Sequence, residues 1–125
     1  MPREAFASTG VAPPVGPFSP GVRAGDLLFL SGQVALSPMT GQLIAGDVAA
    51  QTEQVLQNLR RLLEAVGKSL ADVARVNVYL TDMKDFAHMN AVYARHFEAP
   101  YPARTTVAVS ALPLGAAVEI DLIAR

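Results

Sequence analysis

The feature that most constrains this chain is a set of three alternating stretches, Val73–Leu80, Thr105–Ser110 and Ala117–Ala124. Successive side chains of a strand point to opposite sides of a sheet, so each stretch has two faces. Val118, Ile120, Leu122 and Ala124 share one side; so do Thr105, Val107, Val109 and Ala111, and so do Ala74, Val76, Val78 and Leu80. These read as helix-facing sets. The opposite sides carry Glu119, Asp121 and Ile123; Arg104, Thr106, Ala108 and Ser110; and Val73, Arg75, Asn77 and Tyr79. That second face mixes charged, polar and apolar groups.

Only two helices are available to cover a sheet. Asp47–Val66 repeats apolar residues at steps of three and four (Val48, Thr52, Val55, Leu59, Leu62, Val66), with Asp47 as N-cap and Gly67 at the left-handed C′ position. A second helix is expected from about Asp85 to Phe97, with Phe86, Met89, Tyr93 and Phe97 on one face and Pro100 and Pro102 barring its extension. Leu27–Ser31, after the turn at Ala24-Gly25-Asp26, reads as a buried strand paired with about Ser19–Arg23. Gly32–Leu36 continues extended, Pro38–Gly46 is loop, and a short strand is expected near Glu4–Ala7. Leu112-Pro113-Leu114-Gly115 reads as a hairpin-length link between the last two strands. The order β-β-α-β-α-β-β predicts one α+β domain over residues 1–125, a two-layer fold with one mixed sheet and both helices on one face. The uncovered face is either solvated or buried against another subunit. The interleaved Val73, Tyr79 and Ile123 favour the interface.

Composition removes several function classes. The chain balances 10 Lys+Arg against 11 Asp+Glu, so it has no basic excess or stripe for nucleic acid and no polybasic membrane anchor. Apolar residues make up 51% and charged residues 17%, which argues against disorder. There is no cysteine, hence no disulfide framework, thiolate metal site or cysteine nucleophile. No signal peptide is expected, since Met1–Thr9 lacks an apolar core, and no run reaches the roughly 20 apolar residues of a membrane helix. A compact cytoplasmic domain is the expectation. His88 and His96 fall eight residues apart with no third ligand at metal spacing, so no metal site is expected.

Tyr101–Ala124 (YPARTTVAVSALPLGAAVEIDLIA) resembles the signature of the reactive intermediate deaminase (RidA/YjgF) family, which runs Pro-Ala-Arg, an alternating strand, Leu-Pro with a turn, and an apolar-Glu-apolar strand. Four further stretches agree in order and spacing: Gly16-Pro17-Phe18-Ser19 with Gly21, Ser31-Gly32-Gln33, Thr40-Gly41, and Asp85-Phe86 with Asn90, Tyr93 and Phe97. The resemblance implies a chorismate-mutase-like fold, assembled as a homotrimer with its sheets inward and ligand clefts between subunits. It implies hydrolytic deamination of enamines and imines such as 2-aminoacrylate to 2-oxo acids and ammonia, with no cofactor.

The same resemblance supplies the candidate residues. Arg104 matches the arginine that holds the substrate carboxylate; a guanidinium fork suits that contact. The competing reading is a strand-end arginine paired with Glu98 or Asp121. Glu119 matches the glutamate that positions or activates water, against a structural ion pair with Arg75. Phe18, Ser31, Gly32, Asn90 and Thr106 complete the expected binding set. Ser31 and Gly32 could equally form a plain turn, and Asn90 a solvated helix position. A hairpin of the last two strands would bring Arg104, Thr106 and Glu119 together. Two positions depart from the family: Phe18 stands where many members have tyrosine, losing a hydroxyl, and Thr106 where several have cysteine. Other readings stay open: a trimeric module that senses 2-oxo acids, a ribonuclease or translation inhibitor, and, by fold analogy alone, a chorismate mutase.

Overall fold

The computed structural model describes residues 2–125. Its elements are β1 (Glu4–Phe6), β2 (Gly21–Ala24), β3 (Leu27–Gln33), α1 (Val48–Glu64), β4 (Val73–Leu80), α2 (Phe86–His96), β5 (Ala103–Ala108) and β6 (Val118–Ala124). They form a six-stranded mixed sheet in the order β1-β2-β3-β6-β4-β5. Only β4 and β5 run parallel. The two helices pack together on one face, and the expected two-layer α+β domain is what forms.

The core is the layer between helices and sheet. Val55, Leu56, Leu59, Leu62 and Leu63 of α1 are wholly buried against Val76, Val78 and Leu80 of β4 and Val118, Ile120 and Leu122 of β6. Each such side chain contributes roughly 1.5–3 kcal/mol by leaving water. Asp47 caps α1 by accepting from the Ala50 N–H at 3.0 Å. Gly67, at φ 73°, turns the chain away while the Lys68 N–H bonds back to the Leu63 carbonyl. Buried polar groups of α1 are all partnered. Gln51 accepts from the Ala117 N–H and donates to the Gly46 carbonyl, and Asn58 donates to the Leu36 carbonyl. They tie α1 to the start of β6 and to the loop after β3. His96 meets Glu53 at 2.8 Å and joins α2 to α1.

Two expectations about the sheet are corrected. β5 does not form a hairpin with β6. It lies parallel to β4 at the sheet edge, with Val76 beside Arg104 and Val78 beside Thr106. The Val109 N–H extends this pairing to the Leu80 carbonyl, and the segment 109–117 then crosses the end of β4 to set β6 on its far side. Partners side by side in a ladder share a face. Arg104 and Thr106 therefore lie on the helix side, and Thr105 and Val107 on the open side, the reverse of the expected phase. The second correction is at the start of β4. The ladder with β6 slips between Val73 and Arg75, an extra residue that reverses the alternation. Val73 turns into the core and Ala74 outward.

Candidate active site

The expected site residues fall into two groups on opposite sides of the sheet. The first is on the open face and the loops beside it. β3 carries its own irregularity there: Leu30 faces Leu122, yet Gln33 faces Ile120, so one extra residue is accommodated at Ser31–Gly32. Such bulges re-aim side chains and are common beside active sites. The Ser31 hydroxyl donates to the Ser19 carbonyl at 2.7 Å, and its N–H donates to the Pro20 carbonyl at 2.9 Å. Ser31 thus pins the turn that presents Phe18, a residue 49% exposed. Gly32 leaves room for the carboxylate: a Cβ there would stand 2.7 Å from Glu119 Oε2 and would push the side chain aside. Ser31–Gly32 is therefore more than a plain turn; it seats the Glu119 side chain and anchors the Phe18 loop.

Glu119 lies beside Tyr79 on the open face. Among the described residues its carboxylate has no hydrogen-bond partner, and burial, reinforced by the Asp121 charge, raises its pKa above the ordinary glutamate value. The ion pair with Arg75 does not form. Arg75 donates to Thr105 and Asn77, while Asp121 accepts from Asn77 at 2.8 Å and from the Tyr79 hydroxyl at 2.9 Å. Phe18, Ser31, Gly32 and Glu119 line one cavity of about 570 Å³, whose remaining wall includes Val15, Phe29, Leu114 and Ile123. Leu114 is held at φ 61°, in the left-handed region a leucine rarely enters, and points an exposed side chain to this cavity.

The second group surrounds Arg104. The guanidinium Cζ is 4.6 Å from the ring centroid of Tyr93 and 5.7 Å from that of Phe86, both on α2. Neither Glu98 nor Asp121 pairs with it; among the described residues no carboxylate lies within ion-pair distance. Among the described residues three buried polar atoms are without partners, Asn90 Oδ1 and the Tyr93 hydroxyl on α2 and Thr106 Oγ1 on β5, the two elements that carry Arg104 and its rings. Buried polar atoms are nearly always satisfied, so three orphans beside a free cation mark a place for a polar ligand. Asn90 is not a solvated helix position.

Within one chain, then, Arg104, Thr106 and Asn90 are not brought to Glu119. They are separated by the thickness of the sheet and by two strand spacings, about 10 Å across the sheet. The residues the sequence reading assigned only to packing or turns are Phe86, Tyr93 and Leu114. A hydroxyl in the apolar stripe of α2 was the available signal for Tyr93; Leu114 carried none.

The family model described as endoribonuclease L-PSP matches residues 9–125. The chain belongs to the reactive intermediate deaminase (RidA/YjgF) family. It is 43% identical to Reactive Intermediate Deaminase A, chloroplastic, of Arabidopsis thaliana, over 98% of this chain and 66% of that protein. It is 36% identical to 2-iminobutanoate/2-iminopropanoate deaminase of Dermatophagoides farinae, over 98% and 97%. The crystal structure of RidA from the Antarctic bacterium Psychrobacter sp. PAMC 21119 superposes with a TM-score of 0.94 at 41% identity, covering 98% of each chain. A RidA fold and a deaminase family are thus shown. Among the described residues no helix is long and apolar enough to cross a membrane, and no cluster of His, Asp or Glu could hold a metal ion.

Proposed function

We propose that this protein is a cytoplasmic homotrimer that hydrolyses reactive enamines and imines, such as 2-aminoacrylate and 2-iminopropionate, to 2-oxo acids and ammonia without a cofactor. The observation that carries the reading is Arg104, a permanent cation with no acid partner beside three orphaned polar atoms. A substrate carboxylate would supply the missing partner bidentately. Glu119 is the second functional group. Its raised pKa brings it nearer neutrality, where a carboxylate is a more effective proton acceptor. Because the two lie on opposite sides of one sheet, each active cleft pairs the Arg104 side of one subunit with the Glu119 side of its neighbour.

The chemistry follows from those roles. Arg104 anchors the carboxylate and fixes the imine carbon. Glu119 orients a water and accepts its proton as oxygen bonds to that carbon. Glu119 returns that proton to the imine nitrogen, giving a neutral carbinolamine. Its carboxylate then takes the hydroxyl proton and passes it to the amine, the C–N bond breaks as the C–O bond becomes a carbonyl, ammonia leaves, and Glu119 ends as the carboxylate it began as. The uncatalysed reaction already proceeds in water, so positioning and local electrostatics suffice. Asn90 and Thr106 present hydrogen-bonding groups beside the carboxylate, while Phe18, Ser31 and Gly32 shape the side facing Glu119.

A second reading is a binding module that senses 2-oxo acids through the same clefts. Phe18 favours it, because the family's tyrosine hydroxyl is missing there. The ribonuclease reading suggested by the family model's description meets a net charge of -1, which offers phosphates no attraction. The test generates 2-aminoacrylate with a threonine dehydratase acting on serine and follows its decay. Accelerated decay in proportion to this protein supports the deaminase. Binding of 2-oxobutanoate without acceleration supports the sensor. Light scattering should report about three times the 13.2 kDa chain mass, the closed ring of a heterologous interface.

A further inference from the structure

A guanidinium can be fixed inside a protein in two ways. A carboxylate can pair with it, which orients it but occupies its donors and neutralises its charge. Alternatively, flat ring surfaces can hold its plane and leave the N–H edge free. Arg104 is held in the second way. Its Cζ is 4.6 Å from the Tyr93 ring centroid and 5.7 Å from the Phe86 centroid, and among the described residues no acid pairs with it. Tyr93 is itself locked: it is 5% exposed and stacks on Phe97 with centroids 4.5 Å apart and planes at 26°. Phe86 and Tyr93 lie two helical turns apart on one flank of α2, so a single rigid element supplies both rings. Among the described residues the Tyr93 hydroxyl has no partner, and what Tyr93 lays against the guanidinium is its ring.

We propose that Tyr93 and Phe86 are positioning residues for Arg104: their rings set the plane of the guanidinium and keep its N–H edge open to a ligand carboxylate, with no internal acid to compete. The proposal rests on the reading of Arg104 as the carboxylate anchor. It explains how a free cation is kept ordered on an edge strand. A long side chain there would otherwise sample many rotamers and lose that freedom on every binding event.

The test measures 2-oxobutanoate affinity by NMR titration, which reaches millimolar constants, together with kcat and KM for 2-aminoacrylate. The proteins are full-length wild type, Tyr93→Phe, Tyr93→Leu and Phe86→Leu, with the two Leu changes repeated in an Arg104→Ala background. Tyr93→Phe keeps the ring and loses only the hydroxyl's own bond to a ligand, so it should weaken binding about two- to threefold, whereas Phe86→Leu should weaken it about threefold and Tyr93→Leu about tenfold. KM should rise more than kcat falls. Neither Leu change should weaken binding further in the Arg104→Ala background, because both act through the guanidinium. Tyr93 is buried, so Tyr93→Leu risks the fold; the partly exposed Phe86 supplies the decisive variant if it does. Wild-type affinity in Phe86→Leu and Tyr93→Leu overturns the proposal, as do equal losses with Arg104 absent. A loss in Tyr93→Phe as large as in Tyr93→Leu also overturns it, because the hydroxyl would then be the working group. Undiminished binding in Arg104→Ala itself overturns the anchor reading and this proposal together.

Discussion

The two faces of the sheet are built by different rules. On the helix side Val76, Val78, Leu80, Val118, Ile120 and Leu122 are essentially inaccessible and interchangeable in kind: apolar, close-packed and without polar partners. On the open side β3, β4, β5 and β6 contribute groups with specific neighbours. Arg75 needs Thr105, Asp121 needs Asn77 and Tyr79, and Glu119 needs the missing Cβ of Gly32. Stability resides in the first face, and the proposed chemistry draws on the second, with one exception. Arg104 and Thr106 sit on the helix side, but on the edge strand, where the α2 flank covers them only partly. The candidate functional groups thus occupy the margins of the helix layer as well as the face it leaves bare.

Substitutions should separate the two faces. The largest effect is expected on the covered side: Leu59→Ala removes a wholly buried side chain and should cost about 2–5 kcal/mol in chemical denaturation. Deaminase activity per folded protein should stay unchanged. Arg104→Lys keeps the charge but loses the planar two-point contact; kcat/KM should fall by about 10²–10³ with the melting temperature held. Loss of folding in that variant would make Arg104 a core residue and blur the distinction.

Glu119→Gln should lose on the order of 10² in kcat while 2-oxo-acid binding persists. Its stability should move the other way. Burial and Asp121 raise the folded pKa of Glu119 above its unfolded value, so the ionised carboxylate opposes folding. Its contribution is favourable at low pH and is lost as pH climbs from the ordinary glutamate value through the raised one. Glu119→Gln should therefore melt higher than wild type at pH 7, and the gain should shrink as pH falls through that window. A lower melting point at pH 7 would restore a structural partner for Glu119. The smallest effect belongs to Tyr79→Phe, which removes one bond to Asp121 on a half-exposed face and should cost about 1 kcal/mol.

The same contrast explains what was legible in the sequence. The α1 stripe and the β6 alternation are intrinsic to the chain, because burial imposes their period, and both stand where the spacing put them. The partner of β5 is not written in its alternation. A period of two says that Arg104 and Thr105 face opposite ways but not which way; that depends on lying beside Val76. The phase of Val73 turned on a bulge that no residue type announces. Gly32, Arg104 and Glu119 became candidates through the family resemblance, the residues alone leaving Ser31–Gly32 as a plain turn and Arg104 as a strand-end ion pair; the separation of Arg104 and Glu119 across the sheet is a property of topology alone. The role of the Tyr93 ring is not legible, because an aromatic in an apolar stripe looks the same whether it fills a core or carries a cation; only its hydroxyl set it apart.

The central claim is that neither side of the sheet is a complete site and that neighbouring copies complete it. Mixing two defective proteins tests this most directly. Arg104→Lys and Glu119→Gln, each nearly inactive alone, are unfolded together in equal amounts, refolded, and assayed for 2-aminoacrylate decay. In a heterologous ring, random assembly gives about one cleft in four an intact Arg104 side and an intact Glu119 side. The mixture should therefore recover about a quarter of the wild-type rate, against almost none for either protein refolded alone. A mixture no more active than the average of its two components, with mixed trimers present by native mass spectrometry, would contradict a site shared between subunits.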